Sequence, residues 1–161
     1  MTNADPDSSA IYSILEDNKI STAYRITYLG NQYIGPVYRW AEKEFGIRRP
    51  HFATLFCLAH LGPLSARDVC ELSGIPKNNI SRAVSDLERL KRIRRSQHAS
   101  DGRREVLRLT VAGKKLYEQI LPRFQQRERS MLAPLSSEEV MLLDNLLKKL
   151  VLRADGWREE F

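Results

Sequence analysis

Cysteine is scarce in this chain. Cys57 and Cys70 are the two it carries among 161 residues, too few for a disulfide framework. No run of about 18 apolar residues occurs, so no segment reads as a membrane-spanning helix. The N-terminal stretch from Met1 to Ala10 is polar and holds Asp5 and Asp7. It lacks the basic start and apolar centre of a secretory signal, and the expected location is cytoplasmic. Histidine is limited to His51, His60 and His98, far apart along the chain. A phosphate-cradling glycine loop, a His-Glu-x-x-His pair and a nucleophile elbow are all missing, which argues against an enzyme. Internal repeats and low-complexity tracts are also missing. No cofactor and no metal site is expected.

What is present is ordinary in amount and uneven in distribution. The hydrophobic fraction of 42% and charged fraction of 29% suit a globular protein with a real core. The length fits one compact domain, or one with helical extensions. The net charge of +6 sits in the middle third. Between Pro63 and Lys115 there are 13 Lys and Arg against 6 Asp and Glu, whereas the remainder holds 13 against 14. A basic block between neutral flanks is the footprint of a polyanionic partner.

Apolar spacing and punctuation give the elements. Ile34, Val37, Tyr38, Ala41 and Phe45 repeat at helical intervals in a segment from about Lys19 to Phe45. Gly30 and Gly35-Pro36 predict an interruption with a kink there. Pro50 opens a short apolar helix with Leu55, Phe56, Leu58, Ala59 and Leu61, stopped by Gly62-Pro63. Ser65 and Asp68 predict a capped helix that buries Val69 and Leu72 and ends at Ser73-Gly74. Ile75-Pro76 starts the next helix, with Pro76 in its first turn. Its inward stripe is Ile80, Ala83, Val84, Leu87 and Leu90. Arg92 to His98 and Glu105 to Leu109 read as a hairpin around a polar loop. Thr110 caps a long helix to about Leu132, which Pro134 breaks. Ser136 and Glu139 form a capping box before a helix bearing Val140, Leu143, Leu146, Leu147, Leu150 and Val151.

Two short helices joined by a glycine turn make a helix-turn-helix, whose second helix enters the major groove of DNA. With its apolar stripe inward, that helix turns Lys77, Asn78, Asn79, Ser81, Arg82, Ser85 and Arg89 outward. Arg pairs with guanine and Asn with adenine, while Lys and Ser serve phosphates as well. A plain amphipathic helix with a solvated face has the same pattern. The hairpin tilts the balance, because Gln97 to Arg104 has too little apolar content to be core. Arg103 and Arg104 project from it and suit a minor groove. Asp101 either holds Arg103 by a charge-assisted bond or caps its own loop. Arg92, Arg94, Arg95 and Arg108 lie nearer the body and suit phosphates.

Residues Leu55 to Thr110 resemble the winged helix-turn-helix of the MarR family of bacterial regulators. The resemblance rests on Ser65-Ala66-Arg67-Asp68-Val69, on the run from Ile75 to Glu88, and on Asp101-Gly102-Arg103-Arg104 followed by Leu109-Thr110. The flanking helices match too, so it covers nearly the whole chain. One departure is Lys91, where the family usually has glycine, so this position needs a left-handed backbone or a different helix end. The resemblance implies a mainly α fold with a small β-hairpin, flanked by N- and C-terminal dimerisation helices. It divides the chain into a tail (1–16), an N-terminal dimerisation region (17–50), a DNA-binding domain (51–110) and C-terminal dimerisation helices (111–161). It makes Arg103 the wing-tip arginine and Asp101 its support.

The resemblance further implies a homodimer on a pseudo-palindromic double-stranded operator, acting as a repressor released by a small, phenolic or other aromatic effector. Candidates for the effector site by position are Tyr24, Arg25, Tyr28, Tyr33, Tyr38, Arg39, Trp40, His51 and His60. A tyrosine at helical spacing serves equally as packing. The alternative is a metal- or redox-responsive regulator of the same fold. Cys57 and His60 lie three apart on one helix and could share a metal with His51, but no tight ligand cluster accompanies them. Cys57 and Cys70 otherwise read as packing residues.

Overall fold

Side-chain caps set the helix starts at Ser65 and Ser136. Ser65 Oγ accepts from the Asp68 backbone N–H at 3.2 Å, and Asp68 Oδ2 accepts from the Ser65 N–H at 2.8 Å. Ser136 and Glu139 repeat this reciprocal pairing at 3.2 and 2.8 Å. Each box satisfies two of the amide donors that a helix start leaves free. The computed structural model describes residues 13–16, 18–97 and 105–156. Beyond a helical turn at 13–16, the described elements are α1 (Ser21–Phe45), α2 (Arg49–Leu61), α3 (Ala66–Ser73), α4 (Lys77–Arg89), β1 (Ile93–Gln97), β2 (Glu105–Leu109), α5 (Val111–Leu132), α6 (Ser137–Leu152) and a 3₁₀ turn (Ala154–Gly156). Among the described residues no helix is long and apolar enough to cross a membrane.

The chain divides into two compact units, residues 1–124 and 125–161. The first holds the core. Leu55 of α2, Val69 of α3, Ile80 and Leu87 of α4 and Ile120 of α5 are all 0% exposed. Burying each aliphatic side chain of this size contributes about 1.5–3 kcal/mol. Val37 and Ala41 anchor α1 to the same cluster. That anchoring explains one departure from expectation: α1 runs on through Gly30, Gly35 and Pro36 without a break. Packing of the turns on both sides outweighs the backbone bond that proline removes.

Other departures are local. Leu72 is 54% exposed, because Val69 already takes the inward position of the short α3. Leu90 is 46% exposed, because it caps α4 instead of continuing it, and helical periodicity stops there. Pro76 takes the cap position of α4, its carbonyl receiving the Ile80 N–H at 3.2 Å.

β1 and β2 pair antiparallel with Ile93 opposite Leu109 and Gln97 opposite Glu105. Leu64 adds a third short segment through reciprocal backbone bonds with Leu107 at 2.8 and 3.3 Å. Residues 98–104, with the expected wing residues Asp101, Arg103 and Arg104, lie outside the described residues.

The junction between α4, the hairpin and α5 is tightly built. Lys91 has φ 55, the one left-handed residue other than glycine among the described residues. Its N–H donates to the Glu88 carbonyl, and the Arg92 N–H to the Leu87 carbonyl, each at 2.8 Å. This is a Schellman closure with lysine where glycine is usual. Thr110 Oγ1 lies 2.8 Å from the Lys91 carbonyl, to which it donates, and accepts the Gly113 N–H at 3.0 Å. A Cβ on Gly113 would stand 1.9 Å from the Arg92 carbonyl oxygen, so only glycine allows this approach.

The second unit contains α6. Among its described residues none is buried, and Met141, Leu142, Leu146, Leu150 and Val151 are each about half exposed or more.

Candidate nucleic-acid interface

The inward face of α4 fixes its outward face. With Ile80, Ala83, Val84 and Leu87 buried, Lys77, Asn78, Asn79, Ser81, Arg82 and Ser85 are all exposed. Helical geometry gathers Asn78, Ser81, Arg82 and Ser85 on one side. Ser85 Oγ donates to the Ser81 carbonyl at 3.1 Å, leaving its lone pairs outward. Lys77, Arg82 and Arg94 make no ion pair among the described residues. Among those residues nothing neutralises their charges at the surface.

Arg95 differs from them. Its Nε donates to Glu88 Oε2 at 3.0 Å, and its other side pairs with Glu105. The hydrogen bonds it donates to these two carboxylates, Glu88 first, raise its pKa and hold it charged. It therefore braces β1 to α4 and β2, a duty that competes with the expected phosphate contact. Arg94 faces Arg108 directly across the hairpin, and Arg108 Nε donates to Ser96 Oγ at 2.9 Å. Like charges opposite one another destabilise a sheet unless an anion lies between them.

A cleft of about 440 Å³ opens between α1 and α2. Tyr33, Tyr38 and His60, three of the candidates for effector contact, line it with Arg49, Phe52, Phe56, Cys57 and Phe124. Phe52 and Phe124 stack at 4.2 Å, and Tyr38 meets Phe124 edge-on at 5.4 Å. Phe56 stacks on His60 at 4.2 Å. Tyr33 donates its hydroxyl proton to the Phe124 carbonyl at 3.3 Å. Burial pushes the Tyr38 phenol up to about 12 against the opposing pull of Arg49, so it stays a neutral donor at physiological pH. Burial likewise raises the Cys57 thiol, which disfavours the reactive thiolate.

The remaining effector candidates lie elsewhere. Tyr24 and Tyr28 are half-buried in the first turns of α1. Arg25 pairs with Glu16 at 3.1 Å. Arg39 is exposed on α1 and does not line the cleft. Trp40 packs edge-on against Phe45 at 5.4 Å, with the Arg123 guanidinium 5.3 Å from its ring. His51 lies in a separate cleft against α4, where Nε2 is 3.3 Å from Asp86 Oδ2. That placement corrects the idea of a metal shared by His51, Cys57 and His60. No three His, Cys, Asp or Glu side chains gather around a metal position among the described residues. Arg49, Phe52, Phe56 and Phe124 escape a reading from sequence alone. The spacing of Phe52, Phe56 and His60, four apart on α2, was the available signal.

The comparisons agree with this geometry. Residues 45–104 match the family model described as the MarR family. The chain is 32% identical over 98 residues to the uncharacterized HTH-type transcriptional regulator YwaE of Bacillus subtilis, covering 61% of this chain and 57% of that protein's length. It is 31% identical over 99 residues to the HTH-type transcriptional regulator FarR of Neisseria gonorrhoeae, covering 62% of this chain and 68% of FarR. Its fold matches a MarR/EmrR family regulator from Acinetobacter at TM-score 0.74 and 27% identity, over 84% of this chain and 95% of that one. It also matches BpsR of Bordetella bronchiseptica, whose DNA binding is regulated by 6-hydroxynicotinic acid, at TM-score 0.69 and 20% identity, over 81% of this chain and 98% of that one. With a helix-turn-helix presenting an exposed basic face, a paired hairpin beside it and these relatives, the chain belongs to the MarR family of DNA-binding transcriptional regulators.

Proposed function

We propose that this regulator is a homodimeric repressor that reads a pseudo-palindromic operator and releases it when a small aromatic molecule binds. The observation that carries the reading is the aromatic cleft. Its stacked rings offer π surfaces, Tyr38 offers a neutral phenolic donor, and Arg49 offers a cation for an acidic or phenolate substituent. The ligand named for BpsR, a hydroxylated aromatic acid, has that chemistry. α2 forms one wall of the cleft and also packs on α4, so a shift of α2 reaches the DNA-reading helix.

In this reading Asn78, Asn79 and Arg82 contact base edges, Lys77, Ser81, Ser85, Arg94 and Arg104 contact phosphates or sugars, and Arg103 enters the minor groove with Asp101 as its support. Residues 17–50 and 111–161 form the dimer. The exposed leucines of α6 are the support for that assignment. Twofold symmetry then sets half-sites about 10 bp apart. The effector acts by population shift: to empty the operator, it must bind the DNA-incompetent arrangement far more tightly than the competent one.

The test is selection of bound fragments from the source genome, followed by titration of wild type and Arg82→Ala over a salt series. Enrichment of a pseudo-palindrome, with sequence preference relaxed in Arg82→Ala by about 1–3 kcal/mol, supports the reading. Steep salt-sensitive binding with no enriched sequence counts against it. Adding 6-hydroxynicotinic acid or benzoic acid to the operator complex then asks whether aromatic acids cause release.

A further inference from the structure

We infer that His51 and Asp86 are a positioning pair that sets how α4 is presented to DNA, an inference that rests on α4 being the helix that enters the groove. His51 is 5% exposed in the first turn of α2. Its Nδ1 accepts the Arg48 backbone N–H at 3.1 Å. That hydrogen-bond pattern assigns the ring proton to Nε2. Nε2–H donates to Asp86 Oδ2 at 3.3 Å. One buried imidazole thus closes the start of α2 and holds a side chain of α4.

Asp86 needs to be held. It stands one turn after Arg82 and three residues before Arg89 on the same helix. Left free, its carboxylate would pair with Arg82 at i,i+4 spacing and would repel nearby phosphates. Instead Oδ1 accepts from Arg89 at 3.2 Å while Oδ2 accepts from His51. Both partners, Arg89 more than His51, hold the carboxyl below the usual carboxylate range. Arg82 keeps its charge for DNA, and with Arg48 and Asn79 it rims the cleft of about 400 Å³ that His51 lines.

The pair has a second consequence. His51 is followed directly by Phe52, whose ring is the stacked wall of the aromatic cleft. Neighbouring residues of α2 therefore face the cleft and the DNA-reading helix. A movement of α2 is transmitted to α4 through a fixed polar contact as well as through packing.

Three variants separate positioning from mere folding. His51→Asn keeps an acceptor where Nδ1 stood but falls short of Asp86. His51→Gln keeps a donor where Nε2 stood. Asp86→Ala removes the partner and leaves the start of α2 intact. Full-length proteins are titrated with the genome-selected operator and with random duplex of equal length, and their thermal melts are recorded. Asp86→Ala and His51→Asn should each lose about tenfold in the ratio of operator to random affinity, the size of one coupled contact. Random-DNA binding by Asp86→Ala should hold or tighten, since a negative charge has gone. His51→Gln should stay within about twofold of wild type, and the double variant His51→Asn/Asp86→Ala should lose no more than Asp86→Ala alone.

Folded variants with an unchanged ratio would overturn the proposal. So would additive losses in the double variant, or equal damage from His51→Gln and His51→Asn. If His51→Asn melts too low to assay, Asp86→Ala decides alone. Wild type that fails to discriminate operator from random DNA overturns the docking of α4 itself, and the positioning pair with it.

Discussion

Two helices of similar length, α4 and α6, put their apolar residues to opposite use. α4 spans 13 residues without a side-chain N-cap, yet buries Ile80, Ala83, Val84 and Leu87. α6 spans 16 residues behind a complete capping box and buries none among its described residues. Local signals decide whether a segment becomes a helix. What lies opposite decides whether its apolar face is core. α4 has α2, α3 and the hairpin to pack on. α6 carries Leu143, Leu146, Leu147 and Leu150 on a surface that, in the reading proposed above, a second copy of the chain covers.

The largest effect should come from breaking that second surface. Leu146→Asp with Leu150→Asp removes four leucines from a twofold interface. At about 1.5 kcal/mol each, the dimer loses on the order of 6 kcal/mol, or about ten-thousandfold in dissociation constant. Sedimentation should show wild type as a dimer and the variant as a monomer at micromolar concentration, with helical circular dichroism largely kept. Equal masses for the two proteins would mean that α6 is not the interface.

The next effect sharpens the other side of the comparison, the packed junction behind α4. Gly113→Ala drives a methyl into the Arg92 carbonyl, a backbone group that cannot swing aside. The expected cost is about 3 kcal/mol, the upper end of ordinary overpacking. The melting midpoint should fall by roughly 10 °C for a chain of this size. An unchanged midpoint would mean that α5 does not pack as closely as described. Thr110→Val, which keeps shape but loses the hydroxyl serving both Lys91 and Gly113, should cost about 1–2 kcal/mol in a urea titration.

The same contrast shows what was legible in the sequence. Helix starts at Ser65 and Ser136, the hairpin and its turn into α5 follow from cap chemistry and alternation, which act over a few residues. The outward set on α4 follows from its inward stripe. The aromatic cleft does not, because Phe124 lies 72 positions beyond Phe52 in the chain and no spacing rule links them. His51 is misread from sequence for the same reason: its partner Asp86 lies 35 residues on. Leu72 and Leu90 mislead in the opposite sense: Val69 already fills the inward position of the short α3, and α4 ends at Arg89, before Leu90. Continuous periodicity across Gly35-Pro36 was the better guide to α1 than the breakers themselves, because packing of Val37 and Ala41 offsets the missing bond.

The smallest effect tests the finest point. Lys91 holds a left-handed backbone at φ 55 where a side chain costs about 1–2 kcal/mol. Glycine removes that cost but gives back part of it through the greater freedom of the unfolded chain. Lys91→Gly should therefore stabilise by about 0.5–1 kcal/mol, raising the midpoint by roughly 2 °C. Lys91→Asn, which tolerates the same backbone, should gain less, and Lys91→Ala should gain nothing, since alanine keeps the Cβ. This ordering separates backbone strain from the loss of a positive charge, which all three variants share. If all three shift alike, charge and not conformation governs the site. The Schellman closure at Arg92 would then not be the helix end adopted in solution. The Arg92 carbonyl is the group on which Gly113 packs, and Thr110 ties the neighbouring Lys91 carbonyl to it. A different helix end would thus move the hairpin relative to α4, and the angle at which the wing meets DNA would change with it.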